Sequence, residues 1–222
     1  MAMRKLTLLL ALLAIPLSGL SQAAFHNHDE MWEAYPFYLG TEFGWGSTDW
    51  NQLTVPPDSP NLLTLSLSAP IKAGDKGFVY GFMTGYEINP HFAIELNYMR
   101  FPNTVVTFDP LSLYAFNNGI TSMKSSAYVY NAVGKFMVEI NDTGIRAFAN
   151  AGGALIHRHD ALAENGHIGP TFGIGMGYVL IQRVMLELAF QYYAGYGKVV
   201  LEPAINYIPF LYTVHFKIGY RF

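Results

Sequence analysis

The sequence predicts an all-β protein, an eight-stranded antiparallel up-and-down transmembrane β-barrel, from its composition and from the spacing of its apolar residues. Of the 222 residues, 51% are hydrophobic and 13% are charged, against roughly 25% charged in soluble domains. Beyond the N-terminus there is no run of about 20 apolar residues, which a transmembrane helix needs. In lipid, only helices and closed barrels satisfy every backbone hydrogen bond. The absence of cysteine and the net charge of −3 further exclude a disulfide scaffold and a basic nucleic-acid binder.

The N-terminus has the pattern of a secretory signal. Arg4 and Lys5 precede an apolar run at 6–17, and small residues follow up to Ala23. A membrane anchor is the competing interpretation, but the apolar run is short and Pro16 interrupts it. We therefore expect a signal peptide at 1–23, a periplasmic N-terminal segment at 24–34 and the barrel domain at 35–222.

The strands are predicted from alternation with a period of two. The last segment shows it best, because apolar or aromatic side chains occupy every second position from Phe210 to Phe222. That length suits a tilted transmembrane strand of about 9–11 residues. The segment at 145–156 is the weakest, since several of its apolar positions are alanine. In chain order, the predicted strands lie near 36–46, 77–88, 92–101, 124–138, 145–156, 169–181, 184–193 and 209–222.

The connections support the same topology. Short turns at 89–91, 141–144 and 182–183 alternate with long segments at 47–77, 102–123, 156–168 and 193–208. This alternation is typical of outer-membrane barrels, which have short periplasmic turns and longer extracellular loops. Leucines alternate within 61–69, which we interpret as a hairpin extension above the membrane; a ten-stranded barrel is the alternative.

A soluble barrel of the lipocalin type also alternates, but its apolar face points inward. Its outer face then needs abundant charge, about 25–35% of surface residues. Here the less apolar face consists mostly of Gly, Ala, Ser, Thr and Asn, with about one charge per strand. Small residues suit a crowded lumen, so we expect the apolar face to contact lipid.

The predicted inward positions carry four acidic and four basic residues, most of them near the periplasmic end. An eight-stranded barrel is just wide enough for side chains to fill it, and opposite charges confined there should pair. We expect the resulting cluster to block the lower lumen, with a gated ion path as the alternative, and His215 to form hydrogen bonds inside the lumen. The predicted lumen charge cluster comprises Glu42, Glu87, Glu95, Lys135, Arg146, Glu187, Lys217 and Arg221.

Four histidines are weak candidates for metal binding. His157, His159 and His167 fall in the third long segment, where a solvated polar loop is the favoured interpretation. Cleavage after Ala23 would place His26 third in the mature chain, an arrangement that suits Cu(II) or Ni(II). We predict no metal site and no cofactor.

Several segments resemble small OmpA-like outer-membrane β-barrel proteins. The similar segments are 85–98, 146–153, 175–193 and the C-terminal 219–222. The resemblance implies a monomeric, eight-stranded barrel in the Gram-negative outer membrane, surrounded by lipid and lipopolysaccharide and with no nucleic-acid partner. It also implies that Tyr220 and Phe222 act as a signal for the barrel-assembly machinery. We expect the barrel domain alone, without the peptidoglycan-binding domain of some relatives.

The long segments suggest a role at the cell surface. We expect a structural or surface-interaction function, with a possible host or surface ligand at the extracellular loops, because exposed apolar loop surface favours partner contact. Packing of the loops on one another is an equally weighted interpretation. A narrow channel for small or hydrophobic solutes is the main alternative. A lipid A-modifying enzyme is disfavoured, because the sequence contains no His-x-Ser pair. The apolar loop residues are Trp50, Leu62, Val105, Phe108, Leu113 and Phe116.

Overall fold

The computed structural model describes residues 34–50, 70–74, 76–140, 143–180, 183–197 and 207–222. The predicted signal peptide and the leucines at 61–69 lie outside these residues. The described elements are β1 (Phe37–Asp49), β2 (Pro70–Gly74), β3 (Lys76–Asn89), β4 (Phe92–Arg100), β5 (Thr104–Phe108), α1 (Leu113–Asn118), β6 (Ser122–Glu139), β7 (Ile145–His159), β8 (Glu164–Leu180), β9 (Val184–Tyr193) and β10 (Phe210–Arg221).

Eight of these strands form a closed antiparallel ring. β1 pairs with β3 on one side and with β10 on the other, and β6 pairs with β7 to complete the circle. The predicted eight-stranded barrel is confirmed. The ten-stranded alternative is wrong, because β2 pairs with β5 and β5 pairs with the extracellular end of β6, outside the ring.

β2 and β5 form an extracellular extension together with α1 and the first residues of β6. β5 continues from β4 after a break at Pro102, a residue that cannot donate to a ladder. The register moves from Arg100↔Tyr128 to Thr104↔Ser125, so one strand carries an extra residue, as in a β-bulge. The described extension thus includes a strand at 70–74, whereas the predicted hairpin at 61–69 lies outside the described residues.

The prediction of a long loop at 156–168, the third long segment, is wrong. β7 continues to His159 and β8 begins at Glu164, and these two residues are paired. The turn between them closes tightly because the Asp160 carboxylate accepts the amides of Leu162 and Ala163 at 3.0 and 3.1 Å. The barrel wall on this side therefore extends farther out than the sequence predicted.

The two faces of the ring differ as the alternation predicted. Outward positions carry exposed aromatic and aliphatic side chains such as Trp45, Phe82 and Ile174, whereas inward positions are buried. Tyrosines cluster toward the extracellular end, where the Tyr98 and Tyr130 rings lie 5.1 Å apart. Such aromatic girdles mark the interfaces of membrane barrels. Within the described ranges, no helix is long and apolar enough to span a membrane.

The interior is tightly packed where inward glycines make room for larger neighbours. A Cβ added at Gly175 would lie 2.4 Å from both the Phe148 ring and the Leu188 carbonyl oxygen. By contrast, a Cβ at Gly153, on the outer face of β7, meets nothing within 4 Å. Substitutions at Gly175 and Gly153 therefore test directly whether the lumen is tightly packed.

We expect Gly175→Val to lower the free energy of unfolding by about 1–3 kcal/mol or more, the usual cost of overpacking. Gly153→Val is the matched control and should leave stability nearly unchanged. Urea unfolding of both refolded variants in lipid vesicles measures the difference. Equal midpoints for the two variants would show that the lumen is not packed at this level.

Candidate functional site

The structure brings the eight predicted lumen charges into one side-chain network inside the barrel. All eight point inward, and none is more than 6% exposed. They come from β1, β3, β4, β6, β7, β9 and β10, so nearly the whole ring contributes. They are arranged as two adjoining groups.

The upper group is centred on Glu95. Its carboxylate accepts from Lys217, lies 3.4 Å from the Lys135 ammonium and accepts the Tyr38 hydroxyl at 3.1 Å. Lys135 also lies 2.5 Å from Glu187, and Lys217 lies 3.1 Å from Glu42. Three acidic side chains thus share two lysines.

The lower group lies at the periplasmic end and has the opposite balance. Glu87 accepts from Arg146 at 3.3 Å and also from Arg221, so one carboxylate serves two guanidinium groups. The excess positive charge here offsets the excess negative charge above. Taken together, the cluster of four acids and four bases is neutral, as charges removed from water require.

A band of uncharged polar side chains lies above the charges. Asn97 donates to Asn131 at 2.7 Å, and Asn131 donates to the Tyr193 hydroxyl at 3.2 Å. Gln191 donates to the Thr171 hydroxyl at 2.7 Å. His215 lies beside this band, with its Nε2 3.9 Å from a Glu42 oxygen. The bond from Asn131 on β6 to Tyr193 on β9 crosses the lumen between strands that are not neighbours, and the band occupies the lumen at this level.

Farther out, the lumen is filled by buried apolar side chains. This layer draws on β3, β4, β6, β7, β9 and β10, and five of its members have no exposed surface. Water and ions would have to cross it to reach the charged layer. Its members are Val79, Met99, Phe101, Ala127, Val129, Ala154, Ile156, Tyr193, Ile208 and Leu211.

A cap closes the extracellular mouth around Arg158. Its guanidinium lies 4.6 Å from the Trp50 ring, donates to the Tyr207 carbonyl at 2.6 Å and pairs with Asp160 at 2.5 Å. The Tyr207 hydroxyl in turn donates to the Asp49 carbonyl, and burial raises the pKa of Tyr207. Sequence reasoning missed Arg158, because it lay in a segment interpreted as a loop.

The cap changes the interpretation of the apolar loop residues. Trp50 and Phe108 were expected to be exposed, but each is only 1% exposed, since both pack in the cap with Tyr207 and Met123. That part of the expectation is wrong. Val105, Leu113 and Phe116 are exposed, whereas Leu62 lies outside the described residues.

Little free space remains at the periplasmic end of the lumen. A cavity between the two charged groups is lined by Glu87, Arg146, Glu187 and Arg221 and has a volume of about 10 Å³. That is close to the minimum for a single water molecule. The described side chains therefore leave no wide path at this level.

The candidate metal-binding histidines do not converge. His157 lies on the outer face and stacks on Tyr128 at 5.0 Å. His167 lies on the opposite face and stacks on Tyr196 at 4.9 Å. His159 is exposed, 3.8 Å from Glu164, and His26 lies outside the described residues. Within the part of the chain that the structure describes, no group of three or more potential ligands is arranged to hold a metal ion.

The family follows from comparison with known proteins. The model of the OmpA-like transmembrane domain matches residues 33–222. The chain belongs to this family. The predicted resemblance and the location in the Gram-negative outer membrane are thereby confirmed.

Individual relatives of this OmpA-like chain are distant in sequence. An uncharacterised protein of Coxiella burnetii is 23% identical over 215 residues, covering 84% of this chain and 85% of the relative. Neisserial surface protein A is 15% identical, with a TM-score of 0.51 over 84% of this chain and 97% of that chain. The outer membrane protein OprG of Pseudomonas aeruginosa is 13% identical, with a TM-score of 0.50 over 85% and 96%. The two structures share the fold.

Removing the central carboxylate should destabilise the barrel. We expect Glu95→Gln to lower the free energy of unfolding by about 3 kcal/mol, because it leaves two buried lysines short of a partner. Glu164→Gln is the control, since that side chain is exposed at the extracellular turn. Urea midpoints of the refolded variants compare them. A wild-type midpoint for Glu95→Gln would mean that the network does not stabilise the barrel.

Proposed function

We propose that this protein is a closed outer-membrane barrel with a structural and surface-interaction role, rather than a channel or an enzyme. The filled lumen is the observation that carries the proposal. Ion pairs, a polar band, an apolar layer and the Arg158 cap succeed one another along the axis. Small barrels in general fill their interior with side chains.

A conducting path through this lumen would be costly to open. An ion would have to displace the pair between Lys135 and Glu187 and then cross the apolar layer. Breaking a buried pair costs about 3–5 kcal/mol, and several pairs are linked through Glu95. A narrow channel is therefore the second candidate, and it requires a rearrangement of the cap as well.

We expect no discrete conductance steps when the refolded protein is inserted in a planar bilayer in concentrated KCl. Liposomes that contain it should not swell in sugar solutions, whereas a general-diffusion porin should give both signals. Heat-modifiable gel mobility verifies that the inserted protein is folded. Regular current steps or sugar-dependent swelling would replace the closed-barrel proposal with the channel.

The extracellular extension provides a surface for interaction. Leu111 is 81% exposed and Phe116 is 87% exposed, one just before and one within α1. The helix is held in place by Ser112, which accepts the Ala115 amide at 3.2 Å, and by Gly119 in the left-handed conformation, with φ of 66°. A rigid apolar tip of this kind favours contact with a partner. We assign the proposed surface or host ligand to this tip.

Cells that display this tip should bind to apolar surfaces. We expect Leu111→Ser combined with Phe116→Ser to reduce the partition of expressing cells into hexadecane by several-fold. Asn117→Ser, on the same helix, is the matched control and should not change it. Surface labelling must show equal amounts of each variant. Equal partition of both variants would contradict an exposed apolar tip.

The assembly machinery and the outer-membrane lipids are proposed as partners from the resemblance to the family. The position of the C-terminal aromatic residues supports the first of these. Phe222 and Tyr220 point outward at the periplasmic end, and their rings lie 5.2 Å apart. The Phe222 amide donates to the Phe37 carbonyl at 2.8 Å. We propose that these two aromatic side chains serve the assembly machinery and that the barrel is a monomer embedded in outer-membrane lipid and lipopolysaccharide.

The enzyme alternative finds less support. Lipid A hydrolysis or acyl transfer needs a nucleophile beside a base. The described histidines at 157 and 167 stack on tyrosines, and those at 159 and 215 lie beside glutamates. None of these contacts supplies a nucleophile, so we propose no catalytic residues.

A further inference from the structure

Four basic side chains form a belt on the outer face of the barrel at its extracellular end. Among the described residues, the belt lies along β2, β3, β4 and β6. Its three lysines are exposed and its arginine is partly exposed. The basic belt consists of Lys72, Lys76, Arg100 and Lys124.

The strand register gives the heights of Arg100, Lys76 and Lys124. Arg100 lies in one rung with Tyr80 and Tyr128, within the aromatic girdle that marks the membrane interface. Lys76 and Lys124 each lie four residues farther out along their strands, about 13 Å at the usual rise per residue. The belt therefore begins at the interface and continues outward into the headgroup layer.

The basic side chains of the belt differ from those of the lumen in their ion pairing. Every lumen lysine and arginine pairs with a carboxylate. For the four belt residues, no described carboxylate lies within ion-pair distance. The nearby Asp109 instead accepts the Leu111 amide at 2.8 Å. Among the described residues, the belt thus presents positive charge with no carboxylate paired to it.

The wall next to the belt, formed by β7 and β8, is different. At the same end, the outward positions of β7 and β8 carry His157, His159, Glu164 and Ile168, and the described outward positions there include no lysine or arginine. His159 and Glu164 lie beside each other. Among the described outward positions at this end, the basic side chains therefore lie on β2, β3, β4 and β6 alone, as expected for a site rather than for a general surface property.

We infer that the basic belt binds the two phosphate groups of the outer-leaflet glycolipid headgroup, with Arg100 at the phosphate nearer the acyl chains and the lysines at the phosphate farther out. A guanidinium matches phosphate geometry through two parallel hydrogen bonds, and a lysine acts as a point charge that reaches outward. The girdle tyrosines beside Arg100 would contact the first part of the acyl chains. The inference specifies the lipid partner named in the proposed function and does not depend on whether the lumen conducts.

Titration of the refolded full chain in neutral detergent micelles tests this site. The probes are bisphosphorylated lipid A, the same lipid A without phosphates, and inorganic phosphate. We expect the bisphosphorylated form to bind at least tenfold more tightly than either of the others, with an affinity that falls as NaCl is added. Equal binding of the phosphate-free form would overturn the inference. Equal binding of inorganic phosphate would show an anion site that is not specific for glycolipid, and would overturn it as well.

Charge-neutral variants locate the site. Arg100→Gln should weaken binding of bisphosphorylated lipid A about fivefold, since one basic side chain near an anionic surface contributes about 1 kcal/mol. Neutralising all four belt residues to Gln should weaken it at least 50-fold, and Arg100→Lys should retain most of the affinity. Arg183→Gln is the matched control, because it removes one exposed charge at the periplasmic end.

Heat-modifiable gel mobility first verifies that each variant is folded. If the fourfold variant does not fold, Lys124→Gln replaces it. Wild-type affinity in Arg100→Gln and in the multiple or Lys124 variant would refute the site. The site would also be refuted if Arg183→Gln lost as much affinity for lipid A as Arg100→Gln. The conductance measurement is insensitive to the belt, so failure of the closed-barrel proposal and failure of this inference are distinguishable.

Discussion

In the hydrocarbon core of a bilayer, every main-chain N–H and C=O must find its partner within the protein. The pairing of β1 with β10 and of β6 with β7 meets this requirement, because it leaves no open edge in the ring. Closure has a second consequence, since it directs every other side chain into a narrow interior. The charged residues placed there must then neutralise one another, and the structure arranges them around Glu95 and Glu87 for that purpose.

The strands could be predicted because lipid and lumen impose opposite demands on alternate positions. From Phe210 to Phe222, that contrast is complete, and the prediction matched the structure. The contrast disappears where a strand leaves the membrane. His157, Arg158 and His159 are all polar, so alternation in hydrophobicity could not reveal that β7 continues through them. Backbone pairing with β8 and the Asp160 turn determine that end instead.

The inward direction of the charged side chains could be predicted in the same way, but their pairing could not. Glu95 and Lys217 are 122 residues apart and lie on β4 and β10, which are not neighbours in the ring. Which charges meet across the lumen depends on strand tilt and stagger, and neither is encoded in the pattern of a single strand. The same holds for the cap, where Arg158 of β7 meets Trp50, which follows β1, and Tyr207, which precedes β10.

The two populations of basic side chains follow one physical rule. A charge inside the barrel has no water to solvate it, so it is retained only with a carboxylate beside it, as Lys135 is with Glu187. A charge on the outer wall would be as costly at the level of the acyl chains. The basic belt accordingly begins above that level, since Arg100, its first member, lies at the tyrosine girdle. Beyond that level, water and anionic headgroups replace the protein as the source of compensation. On the described part of the wall, the height at which basic residues begin therefore marks where the hydrocarbon ends, and their position on β2, β3, β4 and β6 is the basis of the proposed lipid preference.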